Sequence, residues 1–168
     1  MTRQPILVVM GVCGSGKSRI GQLLAEALRL PFLEGDAFHP PENVARMSAN
    51  IPLTDADRQG WLATLAGHIA AAEREGSGLV LSCSALKRSY RDQLRAASSR
   101  LRFVYLRGSR ELIAERLSGR HGHFMPPSML ESQLRDLEEP LTEPGVLVCD
   151  IAPEPVQIVT GILHQLAL

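Results

Sequence analysis

Residues 11–18 read Gly11-Val12-Cys13-Gly14-Ser15-Gly16-Lys17-Ser18, directly behind the apolar run PILVVM and directly ahead of a stretch with apolar residues at Ile20, Leu23, Leu24, Ala27 and Leu28. Buried strand, glycine-rich turn and amphipathic helix, in that order, constrain the fold more than any other feature of the chain. The pattern G-x-x-x-x-G-K-[ST] is complete. Its small residues let consecutive backbone N–H groups turn toward one centre, and the start of the helix adds the positive end of its dipole, so the turn is suited to hold a polyphosphate. Residues Gly11 to Ser18 are therefore the expected ATP-binding segment, with Lys17 reaching the β- and γ-phosphates and the Ser18 hydroxyl ligating Mg²⁺.

The remainder continues the alternation. Strands are expected at 30–34, 79–82, 101–106 and 146–149. Helices are expected at 42–47, 54–75, 84–96, 109–118, from 128 onward and at 155–166. Thr54 and Asp57 form a capping-box start, and Trp61, Leu65, Ile69 and Ala72 then fall on one face. Leu86, Tyr90 and Leu94 form the stripe of the fourth helix, and Ser128 with Glu131 resembles a second capping box, ahead of Leu130, Leu134 and Leu137. Strands this apolar, separated by helices, predict an α/β fold with a parallel sheet covered on both faces. A length of 168 residues with 45% hydrophobic side chains is one domain's worth of chain, 1–168. The balance of 18 Lys+Arg against 18 Asp+Glu argues against nucleic acid or an anionic membrane as partner and fits a small-molecule substrate. No apolar run approaches the about 20 residues that span a bilayer. Three widely spaced cysteines without a C-x-x-C pattern predict a reducing, cytoplasmic setting.

A phosphate cradle leaves kinase, GTPase and nucleotide-binding switch open. Asp57-x-x-Gly60 has the spacing of a GTPase switch but lies inside an amphipathic stretch, and no N-K-x-D motif follows. Glu34-Gly35-Asp36 ends the second expected strand, at the rim where open α/β sheets bind ligands. There Glu34 can help hold Mg²⁺ through water, and Asp36 can accept a hydrogen bond from the attacking hydroxyl, with Gly35 leaving room for the acceptor. His39 is placed to touch substrate. Arg116 and Arg120, four residues apart beside GRHGHF, suggest a small mobile lid of about residues 116–127 whose arginines meet the γ-phosphate. His121 and His123 lack a third ligand, so their H-x-H spacing is read as hydrogen bonding or exposure rather than a metal site.

Four ordered blocks, LEGDAFHPPENVARM, PLTDADRQGWL, CSALKRSYRDQLR and HFMPPSMLESQLRDLEEP, resemble the signatures of the gluconate kinases, and with the phosphate loop the likeness runs from Gly11 to about Pro140. The resemblance implies a P-loop kinase fold similar to shikimate and adenylate kinases, with a five-stranded parallel sheet in the order 2-3-1-4-5 and a lid. It implies transfer of the γ-phosphoryl of ATP to the 6-hydroxyl of D-gluconate, with Mg²⁺, in a homodimer. Carried onto this chain it makes Gly11 to Ser18 the ATP site and Asp36 the residue that positions the acceptor hydroxyl; with the lid arginine read above, the catalytic candidates are Lys17, Asp36 and Arg120. Arg58, Lys87 and Arg91 become candidates for the substrate carboxylate, Arg58 first because a guanidinium can meet a carboxylate with two parallel hydrogen bonds. Shikimate kinase is the nearest competitor; its glycine-triplet loop after the third strand is replaced here by Cys83-Ser84-Ala85-Leu86-Lys87.

Overall fold

The computed structural model describes residues 3–118 and 127–167. In chain order these are β1 (Ile6–Met10), α1 (Lys17–Leu28), β2 (Phe32–Glu34), a 3-10 turn (Gly35–Phe38), α2 (Pro41–Ser48), α3 (Asp55–Glu75) and β3 (Leu79–Ser82). There follow α4 (Arg88–Arg95), β4 (Leu101–Arg107), α5 (Arg110–Ser118), α6 (Pro127–Asp136), β5 (Val146–Asp150) and α7 (Pro155–Gln165). The strands form one five-stranded parallel sheet in the order β2-β3-β1-β4-β5, as the resemblance implied. Ile6 of the central β1 pairs with Leu79 of β3 on one side and Leu101 of β4 on the other.

All of β1 is buried because alternate side chains feed two cores. Leu7 and Val9 pack with Ile20 and Leu24 of α1 and with Ile158 and Ile162 of α7. Ile6, Val8 and Met10 pack with Trp61, Leu65 and Ile69 of α3 and with Tyr90 and Leu94 of α4. Each such fully buried Leu or Ile contributes about 1.5–3 kcal/mol of transfer free energy. Among the described residues no helix is long and apolar enough to cross a membrane.

Helix α3 begins as its sequence dictates. The Asp57 amide donates to Thr54 Oγ1 at 3.1 Å and the Thr54 amide to Asp57 Oδ2 at 2.9 Å, a reciprocal cap that satisfies two amides at the helix start. It ends on Gly76, left-handed at φ 67°. Other boundaries move for local reasons. β2 starts at Phe32 rather than residue 30, because Pro31 has no N–H to give the ladder, although its carbonyl still accepts from Val80. α4 starts at Arg88, not residue 84: the carbonyls of Ser84, Ala85 and Leu86 are taken by the Gly11 amide, the Arg91 guanidinium and the Glu138 amide, and Ala85 sits at φ 46°. Ser128 lies within the first turn of α6 rather than capping it, since the helix begins at Pro127.

Arg91 is not brought to the ligand-binding rim. Its side chain is 0% exposed and bonds Glu143 Oε2 at 2.5 Å, with further bonds to the carbonyls of Ala85, Leu86 and Glu138. Arg95 meets the other Glu143 oxygen at 2.7 Å. This cluster ties the segment between α6 and β5 to α4, and its physical role is to pair buried charge, which corrects the expectation of a substrate contact. Burial pushes the Glu143 carboxyl up, but the two guanidiniums outweigh it and hold the group below its ordinary value. Glu143→Gln is expected to cost about 3–5 kcal/mol at neutral pH, because it leaves Arg91 buried beside an uncharged partner. A carboxyl whose folded pKa is depressed contributes stability above its unfolded pKa and loses it as pH falls through the folded value. Denaturant titrations should therefore show the gap between wild type and Glu143→Gln narrowing below about pH 4.5.

Candidate active site

The phosphate loop leaves β1 at the centre of the sheet's C-terminal rim. Gly14 (φ 81°) and Gly16 (φ 97°) take left-handed conformations that favour glycine. At Gly14 a Cβ would stand 2.7 Å from the Leu117 side chain, whereas at Gly16, the residue capping α1, it would meet nothing within 4 Å among the described residues. The loop thus packs against α5 on its Gly14 side. Lys17 Nζ donates to the Val12 carbonyl at 3.0 Å, across the cradle. The Ser15 hydroxyl is buried without a hydrogen-bond partner among the described residues, and the Cys13 amide donates to Gln133 Oε1 of α6 at 2.6 Å.

Ser18 and Glu34 meet. The Ser18 hydroxyl donates to Glu34 Oε2, while the buried Ser82 hydroxyl at the end of β3 donates to Oε1 at 2.6 Å. Ser82 Oγ also accepts the Gly35 amide at 3.2 Å, so one hydroxyl fixes both the carboxylate and the turn that follows it. These are hard oxygen donors, and no cluster of three or more His, Cys, Asp or Glu able to hold a metal occurs among the described residues. That donor set fits Mg²⁺, which takes one or two protein oxygens and completes its shell with phosphate and water.

Gly35 is a glycine for a different reason from the one its sequence position suggested. A Cβ there would stand 2.0 Å from the Ser82 carbonyl oxygen of β3, and the Gly35 carbonyl accepts from Trp61 Nε1 at 2.8 Å. The close approach is of one backbone to another, not of the acceptor to the turn. Its effect is to swing Asp36 outward, where its side chain is 67% exposed in the cleft.

That cleft has a volume of about 630 Å³ and is bounded by the phosphate loop, the Glu34–Asp36 rim, α2, the start of α3 and α6. His39 lines it with a ring only 4% exposed, stacked on Trp61 at 4.0 Å. Asn43 Nδ2 lies 3.2 Å from His39 Nδ1 and donates to the Asp57 carbonyl at 2.8 Å. With Nδ1 accepting, the ring proton sits on Nε2, 3.9 Å from Asp36 Oδ1. Burial lowers the His39 pKa and Arg58 adds to this, against the opposing pull of Asp36, so the ring is neutral at pH 7.

Arg58, one turn into α3, lines the same cleft while almost wholly buried. Its Nη1 donates to Tyr90 Oη at 2.8 Å and faces Asp136 Oδ2 at 3.4 Å. The Tyr90 hydroxyl in turn donates to Asp55, whose Oδ1 accepts from Lys87 Nζ at 2.9 Å. Lys87 is thereby turned onto Asp55 and the Tyr90 ring, outside the cleft lining, and does not join Arg58 there. Arg116 Nη2 is bonded to the Ile151 carbonyl at 2.6 Å, past the end of β5 and likewise outside the lining. Arg120, His121 and His123, and with them most of the expected lid, lie outside the described residues.

The chain's likeness to known proteins agrees with this geometry. A family model described as shikimate kinase matches residues 13–166. The curated gluconokinase of Gluconobacter oxydans is 52% identical over 134 residues, 80% of this chain and 75% of that one. The chain belongs to the gluconokinase family. The thermoresistant gluconokinase of Escherichia coli is 44% identical over 147 residues, 87% of this chain and 84% of its own. The crystal structure of a gluconokinase from Sinorhizobium meliloti 1021 superposes with a TM-score of 0.91 at 49% identity, covering 99% of this chain and 94% of that one. The shikimate kinase model accounts for the shared P-loop architecture, and the identities place the chain among the gluconokinases. Three of the blocks that carried the resemblance, and the described part of the fourth, each contribute to the one cleft: β2 to α2, the start of α3, the loop after β3, and α6.

Five contributors were not read from the sequence: Ser82, Gln133 and three others. Asn43, buried on α2, carried no periodic signal. Tyr90 had the spacing of a core stripe, and it is core, but its hydroxyl also holds Arg58. Asp136 looked like one charge in the run RDLEEP; its spacing of three from Gln133 on a helix that faces the loop was the available clue.

Proposed function

We propose that this chain transfers the γ-phosphoryl group of ATP to the 6-hydroxyl of D-gluconate, giving 6-phospho-D-gluconate. The observation that carries the reading is the convergence of the phosphate loop, Asp36 and Arg58 on one cleft. D-Gluconate presents a carboxylate at one end and a primary hydroxyl at the other. Arg58 would take the carboxylate: Nη1 is used by Tyr90 and Asp136, while Nε and Nη2 have no partner among the described residues and can make a two-point contact. His39, neutral and proton-bearing at Nε2, would meet a substrate hydroxyl. Asp36 would accept a hydrogen bond from the 6-hydroxyl and hold it in line with the γ-phosphorus.

On the nucleotide side, the amides of residues 11–18 would hold the phosphates and Lys17 would exchange the Val12 carbonyl for phosphate oxygens. Mg²⁺, held by Ser18 and, directly or through water, by Glu34, would neutralise charge on the β- and γ-phosphate oxygens. Arg120 and, once released from the Ile151 carbonyl, Arg116 are the proposed further cations at the γ-phosphate; Lys87 and Arg91 have no place in this reading. We propose the enzyme as a single domain over residues 1–168 on its length, cytoplasmic on its widely spaced cysteines, and a homodimer on the strength of the resemblance.

An acceptor panel tests the reaction. With Mg-ATP, D-gluconate should release ADP, while shikimate and nucleoside monophosphates should leave the rate at background. Acceptor-independent nucleotide binding without gluconate-stimulated turnover would instead mark a nucleotide switch.

A further inference from the structure

Helix α6 touches both halves of the cleft. On its inner face Gln133 Oε1 accepts the Cys13 amide of the phosphate loop at 2.6 Å. One turn on, Asp136 Oδ2 faces Arg58 Nη1 at 3.4 Å. Met129, Ser132 and Gln133 line the cleft. Three residues of helix rise only about 4.5 Å, so the two contacts sit on one rigid turn. The far end of that turn is anchored: the Glu138 amide donates to the Leu86 carbonyl at 2.8 Å, and Glu138 Oε1 accepts the Arg88 amide at 2.8 Å.

We infer that Gln133 and Asp136 are positioning residues through which α6 couples the nucleotide half of the cleft to the acceptor half. The Cys13 amide belongs to the loop whose N–H groups serve the polyphosphate, so the Gln133 contact is made to the element that nucleotide binding orders. Arg58 is held from both sides, by Tyr90 at 2.8 Å and by the looser Asp136 contact, so a small shift of α6 changes how firmly its Nη1 is fixed. Any difference in the Gln133 contact between free and nucleotide-bound states then appears as a difference in Arg58 presentation. By linkage the effect is reciprocal: nucleotide raises acceptor affinity by the factor with which acceptor raises nucleotide affinity. Neither residue is placed at the reacting atoms.

The acceptor part of this inference rests on the proposed gluconate reading, so the test has one arm that needs no acceptor. Hydrogen exchange is measured on the whole chain with and without a non-hydrolysable ATP analogue. Added nucleotide should slow exchange at Arg58–Trp61 and Tyr90–Arg91 in the wild type, and Gln133→Met, which keeps bulk but removes the acceptor oxygen, should abolish that remote protection while the loop itself is still protected. The second arm is calorimetric titration of D-gluconate with and without the analogue. The wild type should show a coupling factor of about fivefold or more. In Gln133→Met and Asp136→Asn it should fall toward one, with the double variant no worse than either alone. Unchanged exchange at Arg58 on adding nucleotide to the wild type, or coupling that survives in both variants, overturns the inference. Remote protection that depends on Gln133, together with no heat from gluconate at any nucleotide level, upholds the α6 coupling and overturns the acceptor assignment instead.

Discussion

Lys17→Ala is expected to lower kcat by about 10²–10³-fold, the usual cost of deleting one preorganised charge from a site where negative charge is being redistributed. In the folded chain the ammonium is already held across the mouth of the loop, 3.0 Å from the Val12 carbonyl. Moving to phosphate oxygens therefore exchanges one partner for another and requires no large search. The backbone cradle, with its left-handed Gly14 and Gly16, does not depend on that side chain. Nucleotide affinity should consequently fall less than turnover. Steady-state kinetics beside calorimetric binding of an ATP analogue separates the two, and near-normal kcat in Lys17→Ala would remove the residue from the transfer step.

Asp36→Asn should produce a comparable loss on the acceptor side, about 10²-fold or more in kcat, with ATP binding unaltered. The substitution keeps size and one acceptor oxygen but removes the charge that would hold the 6-hydroxyl. Because the turn is fixed by Gly35 packing on the Ser82 carbonyl and by the Trp61 indole, the variant backbone has no reason to move. The loss would then report on the carboxylate itself. Arg58 gives the contrast: its removal should act on gluconate binding before it acts on kcat. If Asp36→Asn turned over at the wild-type rate, the acceptor hydroxyl would have to be oriented by another group in the cleft, His39 being the nearest.

Much of this arrangement was legible in the sequence because it is local. The phosphate loop occupies eight consecutive residues, and the Thr54–Asp57 cap and the Glu34-Gly35-Asp36 rim are each complete within a few positions. What was not legible depends on partners far along the chain. Arg91 in CSALKRSYRDQLR has the chemistry of a carboxylate-binding residue, and nothing nearby marks Glu143, 52 positions on, as the carboxylate it meets. Lys87 is turned aside by Asp55 for the same reason, across 32 positions. Leu86, Tyr90 and Leu94 have helical spacing and are all buried, yet Leu86 lies in a loop, since periodicity reports burial and not which backbone carbonyls a distant arginine will claim. Gly35 shows the same limit: a glycine between two acidic residues at a ligand-binding rim invites a substrate explanation, and only the neighbouring strand reveals that its Cβ is excluded by Ser82.

The reaction is defined by the bond formed to one oxygen, and the structure of the product reports which oxygen it is. The chain is incubated with Mg-ATP and D-gluconate, and the product is read by a proton–phosphorus correlation spectrum. A single phosphomonoester coupled to the two C6 protons, formed together with ADP, is the predicted result. No gluconate-dependent phosphomonoester, or phosphate on any other oxygen of the acceptor, would show that the chain does not phosphorylate the 6-hydroxyl of D-gluconate.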